Sequence, residues 1–215
     1  MLVSNSRKFI FIHIQKTGGS SIEQVIKEHV PDAHHILGRH DHASWAKSEI
    51  GAEWEQYFKF AFVRNPWDRL VSWYTMITQR ALTQPEHSRL WDYALENSTN
   101  FEELIYNCTD VIEDIGGRKS FMYNQKDYLV GEDGQIIVDF IGRFETFNQD
   151  AEAVLTRLGL PGVSIPQVNK SSHRHYSEYY SAKTKNIIAE RYARDISFFF
   201  YKFETRARNV FIREA

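Results

Sequence analysis

The sequence predicts an α/β fold with a central, mainly parallel sheet flanked by helices. Three observations carry that prediction. The runs Phe9-Ile10-Phe11-Ile12-His13-Ile14 and Tyr57-Phe58-Lys59-Phe60-Ala61-Phe62-Val63 are β-branched and aromatic. They are continuous rather than alternating, the pattern of strands covered on both faces. Each run ends in a turn signal, Gly18-Gly19 in the first case and Arg64-Asn65-Pro66 in the second, and a helical stretch follows. The chain has 215 residues, of which 42% are hydrophobic and 14% aromatic. That is enough to bury one sizeable core, so residues 1–215 read as a single domain.

The elements follow in order. The strand over 9–14 leads through the glycines into a helix over 22–29, for which Ser20 or Ser21 is a candidate cap. The strand over 57–63 leads into a helix over 67–78, with Pro66 near its first turn. Residues 86–95 and 100–108 read as helices. In the second, Phe101, Leu104, Ile105 and Cys108 fall at i, i+3, i+4 and i+7, and Asn100 and Glu103 have capping-box spacing. Residues 128–130 and 135–141, joined by Gly131-Glu132-Asp133-Gly134, predict a β-hairpin. A helix over 146–158 is ended by Gly159 and Pro161. A polar, irregular loop over 161–176 precedes a last helix over 178–199, striped by Ile188, Tyr192, Ile196 and Phe199.

Composition narrows the function. The net charge is −2, so no chain-wide basic field for nucleic acid exists and any anion site must be local. The single cysteine, Cys108, fits a reducing compartment. Met1 to Lys8 is not followed by a long apolar run of the secretory kind, and no stretch reads as a membrane span. The expectation is a soluble, cytoplasmic protein, with a homo-oligomer compatible with the sequence.

The segment His13-Ile14-Gln15-Lys16-Thr17-Gly18-Gly19-Ser20-Ser21 carries most of the chemistry. A glycine turn between strand and helix lets backbone N–H groups converge, and the helix N-terminus adds partial positive charge. Lys16 supplies a full charge and the hydroxyls supply donors, so phosphate or sulfate is the natural ligand. Lys16 precedes the glycines, whereas the common nucleotide loop places its lysine after them. The plainer alternative is a tight turn with a solvated lysine. The second element, Arg64 to Tyr74, sets Arg64 at a strand end, where open α/β sheets bind ligands, and Ser72 two turns along the next helix. A guanidinium and a hydroxyl can grip one anionic group. The structural alternative makes Trp67, Leu70 and Tyr74 core and pairs Arg69 with Asp68 or another carboxylate. Asp139 and Glu145 bracket an apolar run and suit a charge pair or a hydrogen bond to the nucleotide-loop backbone better than catalysis. His13, on a buried strand, reads as a satisfied core histidine.

Lys16-Thr17-Gly18-Gly19-Ser20-Ser21 resembles the 5′-phosphosulfate loop of sulfotransferases, and Arg64 through Ser72 resembles their 3′-phosphate element. The likeness is to carbohydrate sulfotransferases, including the uronyl 2-O-sulfotransferases and smaller bacterial relatives. It continues in Val138 to Glu145 and in Glu190 to Asp195. The resemblance implies a three-layer, P-loop NTPase-like fold and the donor 3′-phosphoadenosine 5′-phosphosulfate (PAPS), with PAP as product. It implies that Lys16, Thr17, Gly18, Gly19, Ser20 and Ser21 surround the 5′-phosphosulfate and that Arg64 and Ser72 hold the 3′-phosphate. Asn169-Lys170-Ser171-Ser172-His173-Arg174 resembles a late loop that closes over the nucleotide, with Arg174 as its candidate contact; a flexible polar loop is the alternative.

Sulfuryl transfer needs a base for the acceptor hydroxyl and a cation for the leaving phosphate oxygen, a role that suits Lys16. Gly38-Arg39-His40-Asp41-His42 resembles the His-x-His segment of the uronyl enzymes, which implies His42 as base and His40 as its helper. A metal-binding pair or a solvated loop is the alternative, and no third ligand is evident. The scheme requires no metal. The acceptor is a hydroxyl-bearing glycan or small molecule, with carbohydrate favoured, and Trp45 is a candidate to stack on a sugar. Two other readings stand: a P-loop phosphotransferase using ATP and Mg²⁺, for which Arg64 and Ser72 would have no 3′-phosphate to hold, and a catalytically silent nucleotide- or glycan-binding member.

Overall fold

A computed structural model describes residues 1–80, 88–114, 117–166 and 174–205. Its strands are β1 (Leu2–Ser4), β2 (Phe9–Ile12), β3 (His34–His35), β4 (Phe58–Val63), β5 (Ile112–Asp114), β6 (Gly117–Lys119) and β7 (Phe140–Arg143). Its helices are α1 (Gly19–His29), α2 (Ala43–Ile50), α3 (Pro66–Arg80), α4 (Arg89–Asn97), α5 (Phe101–Asn107), α6 (Phe147–Arg157), α7 (Ala182–Arg191) and α8 (Ala193–Phe199).

The main sheet runs in the order β3-β1-β2-β4-β7. β2, β4 and β7 are parallel, and β1 runs against both of its neighbours. The sheet is thus mainly parallel, as the continuous apolar runs predict. Ile12 lies opposite Ala61, and Val63 opposite Arg143, so the carboxyl ends of the parallel strands share one edge. The segments that follow them meet there: the glycine loop, Arg64-Asn65 and Phe144–Thr146.

Strand alternation divides the core into layers. Phe9, Phe11, Phe60 and Phe62 face Ile22, Val25 and Ile26 of α1 and Val154 and Leu155 of α6. Ile10, Ile12, Ala61 and Val63 face Ala43 and Ala46 of α2, Tyr128 and Phe199. Trp67, Leu70 and Trp73 of α3 anchor a further cluster with Leu90, Leu104, Ile188 and Tyr192 from the later helices. Phe101, Leu104, Ile105 and Cys108 are all buried, and Asn100 caps α5 through Glu103 N–H at 3.0 Å, as their spacing requires.

Several expectations need correction. The 128–141 hairpin reduces to one bridge, Val130 with Ile136. The chain beyond it is drawn onto the edge of β4, where Asp139 N–H donates to the Lys59 carbonyl at 2.8 Å, and the strand begins only at Phe140. The single helix over 178–199 is a 3₁₀ turn over Tyr176–Tyr179 followed by α7 and α8. Ser181 and Thr184 form a capping box that starts α7, and Tyr192 (φ −108°, ψ 29°) separates α7 from α8. β1, β3, α2 and the β5–β6 hairpin carry too few residues, or too weak a pattern, to announce themselves in the sequence.

Candidate active site

The glycine loop owes its shape to two residues in the left-handed region, Lys16 (φ 68°) and Gly18 (φ 87°). Gly18 is the N-cap of α1 and no side chain caps the helix, which corrects the expected serine cap. A Cβ on Gly18 would stand 2.7 Å from the Phe147 ring, and one on Gly19 would run into the His13 ring. Gly18, Gly19, Ser20 and Ser21 line a cleft of about 900 Å³ together with Lys16. Thr17 does not line it: the residue is buried and its hydroxyl donates to the Ile14 carbonyl at 2.8 Å. That hydroxyl closes the loop on the strand end.

Lys16 Nζ lies 3.1 Å from Met76 Sδ and 5.8 Å from the centre of the Trp73 ring. Burial, with Arg64 and Arg80 close by, pushes its ammonium down to about 7. Among the described residues no carboxylate pairs with it.

Arg64 and Ser72 both line the cleft and are both buried. Arg64 Nε donates to Asp68 at 2.7 Å, Nη1 donates to the Lys16 carbonyl at 3.3 Å, and the guanidinium lies 3.9 Å from the Phe144 ring centre. Its backbone is clamped by Gln125, whose Oε1 accepts Arg64 N–H and whose Nε2 donates to Arg64 C=O, each at 2.8 Å. Arg69 does not pair with Asp68. It donates to the carbonyls of Gln15 (3.0 Å) and Tyr123 (3.2 Å), binding the loop to the helix that follows β4. Trp67 and Leu70 are core and Tyr74 is half-buried. Asp139 accepts Lys59 N–H at 2.7 Å and pairs with Lys59 Nζ at 3.2 Å, and Glu145 accepts Asn65 N–H at 2.6 Å, beside Arg64.

The two histidines of the His-x-His segment part company. His40 lines the cleft, and its Nδ1 lies 2.8 Å from the His13 carbonyl. A carbonyl only accepts, so Nδ1 carries the proton and Nε2 the lone pair. Burial and the neighbouring His13 hold the His40 imidazole well below its usual range. His42 does not line the cleft. It caps the start of α2, its ring stacked on Trp45 at 5.0 Å and set 4.5 Å from Tyr128. Trp45 is exposed. Burial, opposed by Asp127 and Asp41, lowers the His42 pKa.

His13 is buried as expected, with Nδ1 3.0 Å from Glu23. Arg174 does not line the cleft; it is exposed, 4.0 Å from Glu178 and over the Tyr179 ring. Residues 169–173 of its loop lie outside the described residues. Sequence reasoning missed Glu23, Arg39, Arg80 and Lys119, of which the three cations line the cleft. The one usable signal was Glu23, an acid one turn from the apolar Ile26 in an otherwise amphipathic helix. Among the described residues no group of three or more His, Cys, Asp or Glu could hold a metal, and no helix is long and apolar enough to cross a membrane.

A family model described as "Sulfotransferase family" matches residues 1–202. Among solved structures, the chain is similar to a sulfotransferase from Alicyclobacillus acidocaldarius, at 14% identity over 91% of this chain and 96% of that one, with a TM-score of 0.41. No curated protein gives a match.

Proposed function

The chain belongs to the sulfotransferase family, and on that premise we propose that it transfers a sulfuryl group from PAPS to a hydroxyl of a carbohydrate, with His40 as the general base. The observation that carries this reading is Lys16, a partly buried ammonium facing Arg64 and Arg80 at a glycine loop, with no carboxylate partner among the described residues. A cationic pocket of this kind calls for an anionic ligand.

The residues divide the work. The backbone of Gly18 to Ser21 and the first turn of α1 receive the 5′-phosphosulfate. Arg64, held by Asp68, and Ser72 receive the 3′-phosphate. Trp91, half-buried in the cleft wall, would stack on a sugar ring. His40 Nε2 takes the acceptor proton as the acceptor oxygen bonds to sulfur and the bond between sulfur and the bridging phosphate oxygen breaks. Lys16 opposes the charge that grows on that oxygen. No step calls on a metal.

His40 displaces His42 as the proposed base because its Nδ1 is tied to a carbonyl on the cleft wall, whereas the His42 ring is packed against Trp45 and Tyr128. The test is transfer of labelled sulfuryl from PAPS to a panel of glycans. His40→Ala should lose about 10²–10⁴ in kcat with PAP affinity unchanged, and His42→Ala should lose much less. Because the His40 pKa is lowered, kcat in the parent should stay flat down to mildly acidic pH and fall only below it. A full loss in His42→Ala with His40→Ala unimpaired would overturn the assignment.

A further inference from the structure

Glu23 is a buried carboxylate on α1 that touches four basic side chains. Oε2 accepts from His13 Nδ1 at 3.0 Å and from Arg39 Nε at 2.8 Å. Oε1 accepts from Lys27 Nζ at 2.8 Å and lies 2.9 Å from His35 Nε2. Burial alone would raise its pKa, but His13, Lys27 and Arg39 together hold it well below the ordinary carboxylate range, so it stays ionised. A buried charge is costly unless it is fully paired, and an apolar side chain would fill the same space without that cost.

The partners of Glu23 explain its place. His13 directly follows β2 on the way into the glycine loop, and its carbonyl receives His40 Nδ1 at 2.8 Å. The His13 and His40 rings meet edge to face at 4.7 Å. His35 and Arg39 belong to the segment that carries His40, and Arg39 Nη2 also reaches Ser20 Oγ at 3.4 Å. One carboxylate therefore fastens the donor loop to the segment that presents the base.

We propose that Glu23 is a positioning residue for the transfer: by holding His13, His35 and Arg39 it keeps His40 Nδ1–H on the His13 carbonyl and so presents the Nε2 lone pair to the acceptor. This rests on the reading of His40 as base. Without Glu23, His13 is free to turn, the 34–42 segment loses two ties to α1, and His40 samples the other tautomer. The other charged groups that face His40 are Lys119 on β6, itself paired with Asp114 at 3.1 Å, and Arg39. The α-amino group of Met1 donates to the carbonyls of Ile36 and Gly38 in the same segment.

The test uses Glu23→Gln and His35→Gln, both lying outside the cleft lining. In ¹⁵N-histidine-labelled protein with PAP bound, the parent should show His40 as the Nδ1–H tautomer, and both variants should show a mixture. With PAPS and an acceptor, kcat should fall at least tenfold in Glu23→Gln and several-fold in His35→Gln, while PAP affinity changes less than twofold. Should Glu23→Gln not fold, His35→Gln carries both readouts. An unchanged His40 tautomer, or parent-like kcat in folded variants, overturns the inference. A parent that transfers nothing from PAPS overturns instead the proposed function, and the tautomer measurement then decides the inference alone.

Discussion

Lys16 holds a backbone conformation that a side chain makes costly, by about 1–2 kcal/mol at φ 68°. Such strain persists where surrounding structure enforces it, and it marks functional loops. The same residue has its ammonium pushed down to about 7 by burial and by Arg64 and Arg80. An anion beside it favours the charged form, so binding must draw in a proton when the free lysine is partly neutral. PAP affinity should therefore weaken as pH rises from 7 to 9, with net proton uptake visible by calorimetry in buffers of different ionisation enthalpy. Lys16→Ala should abolish that uptake and lower kcat more than it lowers PAP affinity, since an interaction strongest in the transition state appears in kcat. PAP binding without proton exchange would show that Lys16 does not meet the phosphate.

At the scale of elements, the site depends on how a distant helix fixes the end of β4. Asp195 of α8, fully buried, accepts Gln125 N–H and Lys126 N–H, each at 2.8 Å, and Gln125 Nε2 at 3.1 Å. Gln125 in turn holds both backbone groups of Arg64. Gln125→Ala leaves those groups buried without partners, at about 1–3 kcal/mol each. It should lower the Tm and weaken PAP binding together; a lower Tm with unchanged PAP affinity would make the clamp merely structural. Nothing in the sequence around Gln125 announces this role, because its partners lie 61 and 70 residues away. By contrast, the strand–loop–helix units at Lys16 and Arg64 were legible, since strand, glycine or proline stop, and helix are contiguous in the chain. The histidine pair was legible only as a pair. Residues two apart share a face in an extended chain, but a turn at Arg39–His40 and the start of α2 after His42 send the two rings to different neighbours. The last helix misled for a related reason: its apolar stripe runs on through Tyr192, where the backbone leaves helical geometry.

For the whole molecule, buried histidines set the response to acid. Burial lowers the pKa of His13 to about 4 and lowers those of His35, His40 and His42. A group whose pKa is depressed in the folded state binds its proton more readily when unfolded. The contribution of these histidines to stability should therefore be full above about pH 6.5, the unfolded value, and decline as pH falls from there toward 4. Thermal melts at pH 7 and pH 5 should give the lower Tm at pH 5, and an equal or higher value would mean these rings accept protons in the fold. The cleft itself joins the ends of β2, β4 and β7. Its proposed use as a PAPS site requires both anion subsites, the glycine loop with Lys16 and the pair Arg64 and Ser72. Calorimetric titration of the parent with PAP and with ADP, repeated on Arg64→Ala, tests that use. PAP should bind at least tenfold more tightly than ADP, and Arg64→Ala should erase that margin; equal binding of the two nucleotides by the parent would contradict it.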